Sequence, residues 1–540
     1  NNVYVIPADI TDEYDSDSKQ FHYPLLFEEM RPRKFDIKKY QYPIMCLANI
    51  QSTEQDTFRL TFRSNNGSMR RTMDVASLFS ETIITNLRSA IDTITFWWPY
   101  STYTLGAQTS IPAERVKPPK LEEMVVQEIG IERMIEAQCH ALRISKSRIL
   151  FSFEHILDIE GVEFRRSFGN LLYVFTLHPP TEGSYSSAEL FAVLSSLKHH
   201  PLLYKLILRN IDLSELQAQT GPINHEGSNM LSVVLYDILT LNPRLKVLDL
   251  TSCGITGETM SVIGNAFSTG KSLLERLILN DNDISEEGGL RELSSGLAVH
   301  GSLIKELDIS DCRLTSADTE SIMTAFTASY PERLESFNLS NNTGNFKTEI
   351  LTNFLLRAIN LKVLNLRNCD ILFSYANIVI SSETLRNTQL TTLNIGGISL
   401  NNHDHLNALY TYIQSPSFSK LKHLSIDHCN LDGGALAKIF SLITASTNYE
   451  NIKVFAGGNY VSRTSPGHKE FCNAISNDWT PVWLSLEDTD YGTTIDQVVE
   501  VLTSFCNNKV IRYLDLSCPQ IKVNKNVAFS LQDFMTAEKA

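Results

Sequence analysis

Leucines set the rhythm of this chain. The frame Leu-x-x-Leu-x-Leu returns at Leu203, Leu245, Leu274, Ile304, Leu334, Leu361, Leu390, Leu421, Ile452, Pro481 and Ile511, in steps of 42, 29, 30, 30, 27, 29, 31, 31, 29 and 30 residues. Its fourth position reads Leu206, Leu248, Leu277, Leu307, Phe337, Leu364, Leu393, Leu424, Phe455, Leu484 and Leu514. Its sixth is apolar in every copy but one, where Gly457 stands. Apolar residues two apart predict a short strand with one buried face. The residues that follow, such as Met260, Ile263 and Phe267, or Leu290, Leu293 and Leu297, recur at helical spacing. Each copy therefore predicts one strand and one helix, and stacked copies bury a continuous core.

This period and frame resemble leucine-rich repeats of the ribonuclease-inhibitor class. A degenerate copy, LYVFTL at 172–177, brings the count to about 11–12. The expected fold class is α/β, a leucine-rich-repeat horseshoe over 166–521, with 522–540 as a capping helix or tail. The 42-residue step predicts a loop insertion at 214–228. Position nine holds Cys253, Cys312, Cys369 and Cys429, with Asn282 and Asn342 interposed. Neighbouring strands lie about 4.8 Å apart, which places thiols two repeats apart at roughly 10 Å. A disulfide or a shared zinc ion needs sulfurs far closer, so these cysteines are expected to be buried and structural.

The first third of the chain does not repeat. Over residues 1–98, FHYPLLFEEM, YQYPIMCLANI and TFRLTFRS predict strands, and NNGS at 65–68 predicts a turn. One helix follows at 75–98, with Leu78, Ile83, Leu87, Ile91 and Ile94 as its apolar stripe. Several antiparallel strands closed by one helix is the pattern of a pleckstrin-homology-like β-barrel. Residues 99–165 are expected to be linker and helical lid: four prolines fall in 99–120, and helical spacing returns at 121–143. Such a lid shields the open edge of a solenoid.

Charge and motifs then narrow the function classes. A net charge of −14 argues against nucleic acid as the main partner. No apolar run reaches the roughly 18 residues of a membrane span. The N-terminus carries no secretory signal pattern, and nine cysteines without a CxxC motif predict reduced thiols and a cytoplasmic setting. Against the acidic balance, Arg31, Arg33, Lys34, Lys38 and Lys39 cluster as a candidate site for anionic lipid, where each basic residue contributes about 1 kcal/mol. STGKS at 268–272 has the wrong spacing for a phosphate loop, and HDH at 403–405 and KHH at 198–200 are expected to be surface histidines. No catalytic residue, cofactor or metal is assigned. Position five of the strands gives Asp249, Ile278, Asp308, Asn338, Asn365, Asn394 and Ser425, and position eight adds Asp281 and Asp311. This polar concave row, acidic in its first half, is the candidate protein-binding face and favours a basic partner.

The whole order resembles the N-terminal half of CARMIL proteins, linkers of capping protein, the actin-related complex and myosin I. Locally, ERMIEAQCHALRISKSRILFSF (132–153) is similar to that family's linker helix, and SAELFAVLSSLKHHPLLYKLILRNIDLS (187–214) to the segment leading into its repeats. The resemblance implies a non-enzymatic scaffold at the plasma membrane or cell cortex, binding actin-regulatory proteins through the repeats. The family's capping-protein-binding segment has no counterpart here, and capping-protein inhibition is not assigned. A RanGAP-like GTPase activator and a tropomodulin-like actin binder are the alternatives; the large N-terminal domain speaks against the first and the repeat number against the second.

Overall fold

The structure, a computed structural model, describes residues 2–4, 41–52, 56–63, 70–94, 108–112, 127–157, 171–200, 202–219, 229–285, 288–342, 346–369, 371–372, 385, 388–492 and 494–517. The chain divides into two compact units, residues 1–203 with 213–243, and residues 204–212 with 244–540.

In the first unit, Phe58, Leu60 and Phe62 alternate with Arg59 and Thr61, so one face of the Thr57–Arg63 strand is buried. This strand pairs antiparallel with Arg70–Ala76 and Leu47–Gln51. Gln108–Ser110, inside the stretch expected to be linker, adds a fourth strand parallel to Leu47–Gln51. The Ser80–Ile94 helix covers the sheet, and Ile84, fully buried, joins Leu47, Ile50, Phe58, Leu60 and Phe62 in one core. Ile83, Leu87 and Ile91 pack as the stripe requires. Leu78 does not: it precedes the helix and is 71% exposed, as is Phe79. Helical spacing carried past the true first turn had included it.

The Gln127–Leu142 helix packs against two parts of this unit. Met134 and Ala137 meet Ile44, Leu87 and Ile91, while the same helix lies along Ser187–Leu197. Leu150–Leu157 and Leu171–His178 then form an antiparallel hairpin, whose second strand carries the LYVFTL copy and continues the sheet of the repeat strands. The expected insertion at 214–228 starts with a helical turn, Ser214–Gln217, and its residues 220–228 lie outside the described residues.

The second unit contains the repeats. Eleven strands, Leu203–Ile207, Val247–Asp249, Arg276–Ile278, Glu306–Asp308, Ser336–Asn338, Val363–Asn365, Thr392–Asn394, His423–Ser425, Lys453–Phe455, Trp483–Ser485 and Tyr513–Asp515, pair in parallel and in sequence order. Leu206, Leu248, Leu277, Leu307, Phe337, Leu364, Leu393, Leu424, Val454 and Leu484 share one register and are all fully buried. One frame differs from the expected register. Ile452 is a buried anchor, but one residue fewer separates it from the strand, so Val454 and Ala456, not Phe455 and Gly457, face the core. A one-residue slip reverses every side chain of a strand. Phe455 therefore turns to the opposite face.

Position nine is a ladder in which cysteine and asparagine do different work. Asn342 Oδ1 accepts the amides of Cys312 and Leu314, at 3.1 and 3.0 Å, while its Nδ2 donates to the carbonyls of Ile309 and Leu339 at 2.9 and 2.7 Å. Asn282 does the same one repeat pair earlier, and Asn459, its equivalent after the register correction, does so for Cys429 and Leu431. Each cysteine points its thiol at a carbonyl of the preceding repeat: Cys253 at Leu208, Cys312 at Leu279, Cys369 at Leu339 and Cys429 at Ile395. Burial pushes all four thiols up to about 12. They are buried structural residues, as the repeat spacing required.

On the helical side, Gly257–Ser268 and Gly289–His300 approach backbone to backbone. A methyl on Gly264 would lie 2.2 Å from the Glu292 carbonyl oxygen, and one on Gly296 2.3 Å from that of Gly264. Only glycine permits this spacing.

Candidate functional site

The face of the repeat sheet opposite the leucine layer is presented by positions three and five. Its expected acidic row is on that face, but most of it is already engaged. Asp249 is fully buried; Arg209 Nη2 lies 2.6 Å from its Oδ2, and the Thr251 amide and hydroxyl donate to its Oδ1. The same turn recurs at Asp308, Asn338, Asn365 and Asn394, each accepting the amide two residues on. Ser425 instead donates to Asp427. Asx turns of this kind fix the chain as it leaves the strand. Asn338 also donates to Asp308 Oδ2 at 3.0 Å, linking neighbours into a cross-strand ladder.

Position eight has its own backbone reason. Asn210, Ser252, Asp281, Asp311, Asn341, Asn368, Gly397, His428, Gly458 and Asp488 all have positive φ, between 52° and 77°. Short polar residues and glycine tolerate that conformation best. Asp281 and Asp311 are exposed, and Asp281 accepts a hydrogen bond from Ser252. These two are the acids of the row most open to a partner.

Position two alternates in sign. Glu275, 8% exposed, bridges Lys246 at 2.8 Å and Lys305 at 2.7 Å, and Lys362 meets Glu335 at 3.0 Å. Beside it, Arg276 pairs with Glu306 at 3.2 Å. The paired lysines hold the Glu275 carboxyl below its ordinary range despite the opposing effect of burial. This part of the sheet is largely self-neutralised.

Its last three strands differ in character. Trp483 and Tyr513 stack at 4.3 Å with ring planes 3° apart, Phe455 lies 4.7 Å from Trp483, and Lys453 Nζ sits 5.6 Å from the same indole. Tyr513 is 46% exposed. Lys453 and Lys422 add to burial in lowering the affinity of His423 for a proton, and Arg512 is exposed alongside. An aromatic ledge with a cationic border thus occupies the strands that follow Ser425, the last residue of the expected row. Trp483 and Tyr513 were visible at position three of their frames; Phe455 was hidden by the register slip.

Other expected sites are placed as follows. Arg31, Arg33, Lys34, Lys38 and Lys39 lie outside the described residues. Among the described basic residues of the same domain, which are not part of that expected cluster, Arg59 pairs with Asp74 at 2.6 Å and Arg71 lies over the Tyr42 ring at 5.4 Å. His403 is on the surface as expected, but His199 and His200 are not: both are buried, and burial lowers them to about 4 and about 3. They close the turn after the Ser187–Leu197 helix, where apolar packing outweighs their polarity. The 268–272 stretch is a turn after a helix, with Gly270 at φ 67°. Among the described residues, no helix is long and apolar enough to cross a membrane.

Residues 1–121 match the family described as "Second PH domain in LRR-containing protein", and residues 241–264 match that described as "Leucine Rich repeat". The ribonuclease inhibitor of Sus scrofa is 24% identical over 311 residues, covering 56% of this chain and 64% of its own length. The NACHT, LRR and PYD domains-containing protein 14 of Mus musculus is 26% identical over 345 residues, 61% of this chain and 33% of its own. The chain thus spans less than two thirds of either relative. A crystal structure of a TLR13–ssRNA13 complex aligns with a TM-score of 0.31 at 16% identity, over 59% of this chain and 44% of that one. By its sequence matches and its strand register, the chain has a pleckstrin-homology-like N-terminal region followed by leucine-rich repeats similar to those of ribonuclease inhibitors.

Proposed function

We propose that this chain is a non-enzymatic adaptor that holds a protein partner on its repeat sheet, while its pleckstrin-homology-like domain engages an anionic membrane. In the finer form carried by the resemblance to CARMIL proteins, the partner is an actin-regulatory protein at the cytoplasmic side of the cell cortex. The observation that carries the reading is the Phe455–Trp483–Tyr513 ledge bordered by Lys453. Large aromatic side chains left half-open on a rigid sheet are what protein interfaces use as anchors, each costing about 2 kcal/mol or more on truncation. The lysine border and the exposed Asp281 and Asp311 give the face two poles, which favours a partner of opposite and matching polarity. One relative of these repeats is itself named for inhibiting a ribonuclease.

The test is a pulldown from cell extract with the 540-residue chain as bait, followed by affinity measurement on the recovered partner. Trp483→Ala with Tyr513→Ala should weaken binding by at least about thirtyfold, the equivalent of 2 kcal/mol. Asp281→Asn with Asp311→Asn should slow association and reduce its salt dependence. Binding left intact by both pairs, and abolished by substitutions on the helical side, would overturn the reading.

A further inference from the structure

Two neighbouring helices of the second unit, Ser465–Ser476 and Ile495–Asn507, bring together three side chains that the repeat pattern does not require. His468 and Cys472 stand one turn apart on the first helix, 3% and 5% exposed, and Glu500 reaches them from the second. His468 Nε2 is 3.2 Å from Glu500 Oε2 and 3.7 Å from Cys472 Sγ. All three ligand atoms lie within 4.8 Å of one another.

The hydrogen bonds around His468 orient it. Ser462 Oγ donates its single proton to the Tyr491 carbonyl at 2.7 Å. The same oxygen lies 2.7 Å from His468 Nδ1, so it accepts from an Nδ1–H. In the neutral ring that leaves the Nε2 lone pair facing a carboxylate and a sulfur. The Cys472 thiol proton can lie on the sulfur side, but Nε2 and Glu500 Oε2, both acceptors, repel each other unless a positive species sits between them. Tetrahedral zinc, with bonds of about 2.3 Å to sulfur and about 2.0–2.2 Å to nitrogen and oxygen, has S···N and N···O edges of about 3.5 and 3.3 Å. The observed 3.7 and 3.2 Å fit those edges.

We propose that His468, Cys472 and Glu500 form a binding site for a zinc-class transition metal, oriented from behind by Ser462 and Tyr491. Nitrogen and sulfur ligands select such a metal over calcium or magnesium. On binding, the Cys472 thiol proton passes to solvent, and the metal joins thiolate, imidazole and carboxylate. The Glu500 side chain is 53% exposed, so the fourth coordination position opens to water. The ion would fasten two successive repeat helices, a local cross-link in a solenoid where each repeat contacts only its neighbours.

The experiment uses the full chain, stripped of metal by a chelator and titrated with cobalt(II). One equivalent should give thiolate-to-cobalt charge-transfer absorption and the strong visible bands of a tetrahedral site, both displaced by zinc. Cys472→Ser and His468→Gln should each weaken zinc binding by more than about 100-fold, and Ser462→Ala by about 10–100-fold as an orienting contact. Glu500→Gln, on a half-exposed side chain, keeps the assay decisive if a buried variant misfolds, and should also weaken binding. Zinc should raise the melting temperature of the native chain and not that of Cys472→Ser. If the cobalt band is absent, or persists in folded Cys472→Ser, or if Glu500→Gln binds zinc unchanged, the proposal fails. The species between His468 and Glu500 is then a proton.

Discussion

Replacing Asn342 by alanine should be among the most costly single changes in the repeats. Its side chain is fully buried and makes four close hydrogen bonds to backbone, at 3.1, 3.0, 2.9 and 2.7 Å. Alanine strands the amides of Cys312 and Leu314 and the carbonyl of Ile309 where water does not reach, and leaves the Leu339 carbonyl only the weak Cys369 thiol donor. Each buried group left without a partner costs about 1–3 kcal/mol, so the loss should be about 4–6 kcal/mol after partial relaxation. Cys312→Ala, by contrast, removes one weak donor and a small volume, costing about 1–2 kcal/mol. A cysteine at 342, the residue used in alternate repeats, should not rescue, because sulfur cannot replace the amide oxygen that accepts both backbone N–H groups. Hydrogen exchange on the folded protein, with urea unfolding for the total, reads the effect. In a solenoid the loss concentrates in adjacent repeats, so the Cys312 and Leu314 amides should lose protection first. Asn342→Ala within about 1 kcal/mol of the native protein, or unchanged exchange at those two amides, would refute the ladder as a stabilising element.

Burial holds Cys253, Cys312, Cys369 and Cys429 protonated up to about 12, so a maleimide should label them only after unfolding, and rapid native labelling would contradict the packing. His199 and His200 are lowered to about 4 and about 3 by burial, joined at His199 by Lys198. The unfolded chain therefore binds protons from about pH 6.5 downward where the folded chain does not, and stability should fall as pH drops from 6.5 toward 4. His200→Gln should flatten that fall in thermal melts; an identical slope would exclude the histidine. Gly296→Ala places a methyl 2.3 Å from the Gly264 carbonyl oxygen and should cost about 1–3 kcal/mol in urea unfolding through the shift it forces, whereas a neutral outcome would show the helices free to separate. Replacing Arg31, Arg33, Lys34, Lys38 and Lys39 by alanine should weaken cosedimentation with anionic liposomes at low salt, and unchanged binding there removes the lipid reading, since low salt favours surface charge.

The sequence by itself determined the repeat architecture, because burial is periodic. Leu248, Leu277, Leu307 and Leu364 each face a core that extends the previous repeat, so the spacing recorded the stacking directly. It also determined the role of the ladder cysteines, since strand separation alone forbids their joining. Only the tertiary structure decided the rest. The frame at Ile452 permits two strand registers with similar apolar patterns, and pairing with Leu424 selected Val454, turning Phe455 outward to meet Trp483. Position-five polarity looked like a recognition surface, yet at Asp249 and Asp308 the oxygens serve local backbone amides, a geometry invisible until the turn is built. His199 and His200 looked exposed because histidine is polar, and became buried because the helix before them ends against packed neighbours. His468 and Glu500 stand 32 residues apart. They meet only because parallel stacking brings successive helices side by side, and a side-chain cluster depends on that packing rather than on the period that produced it.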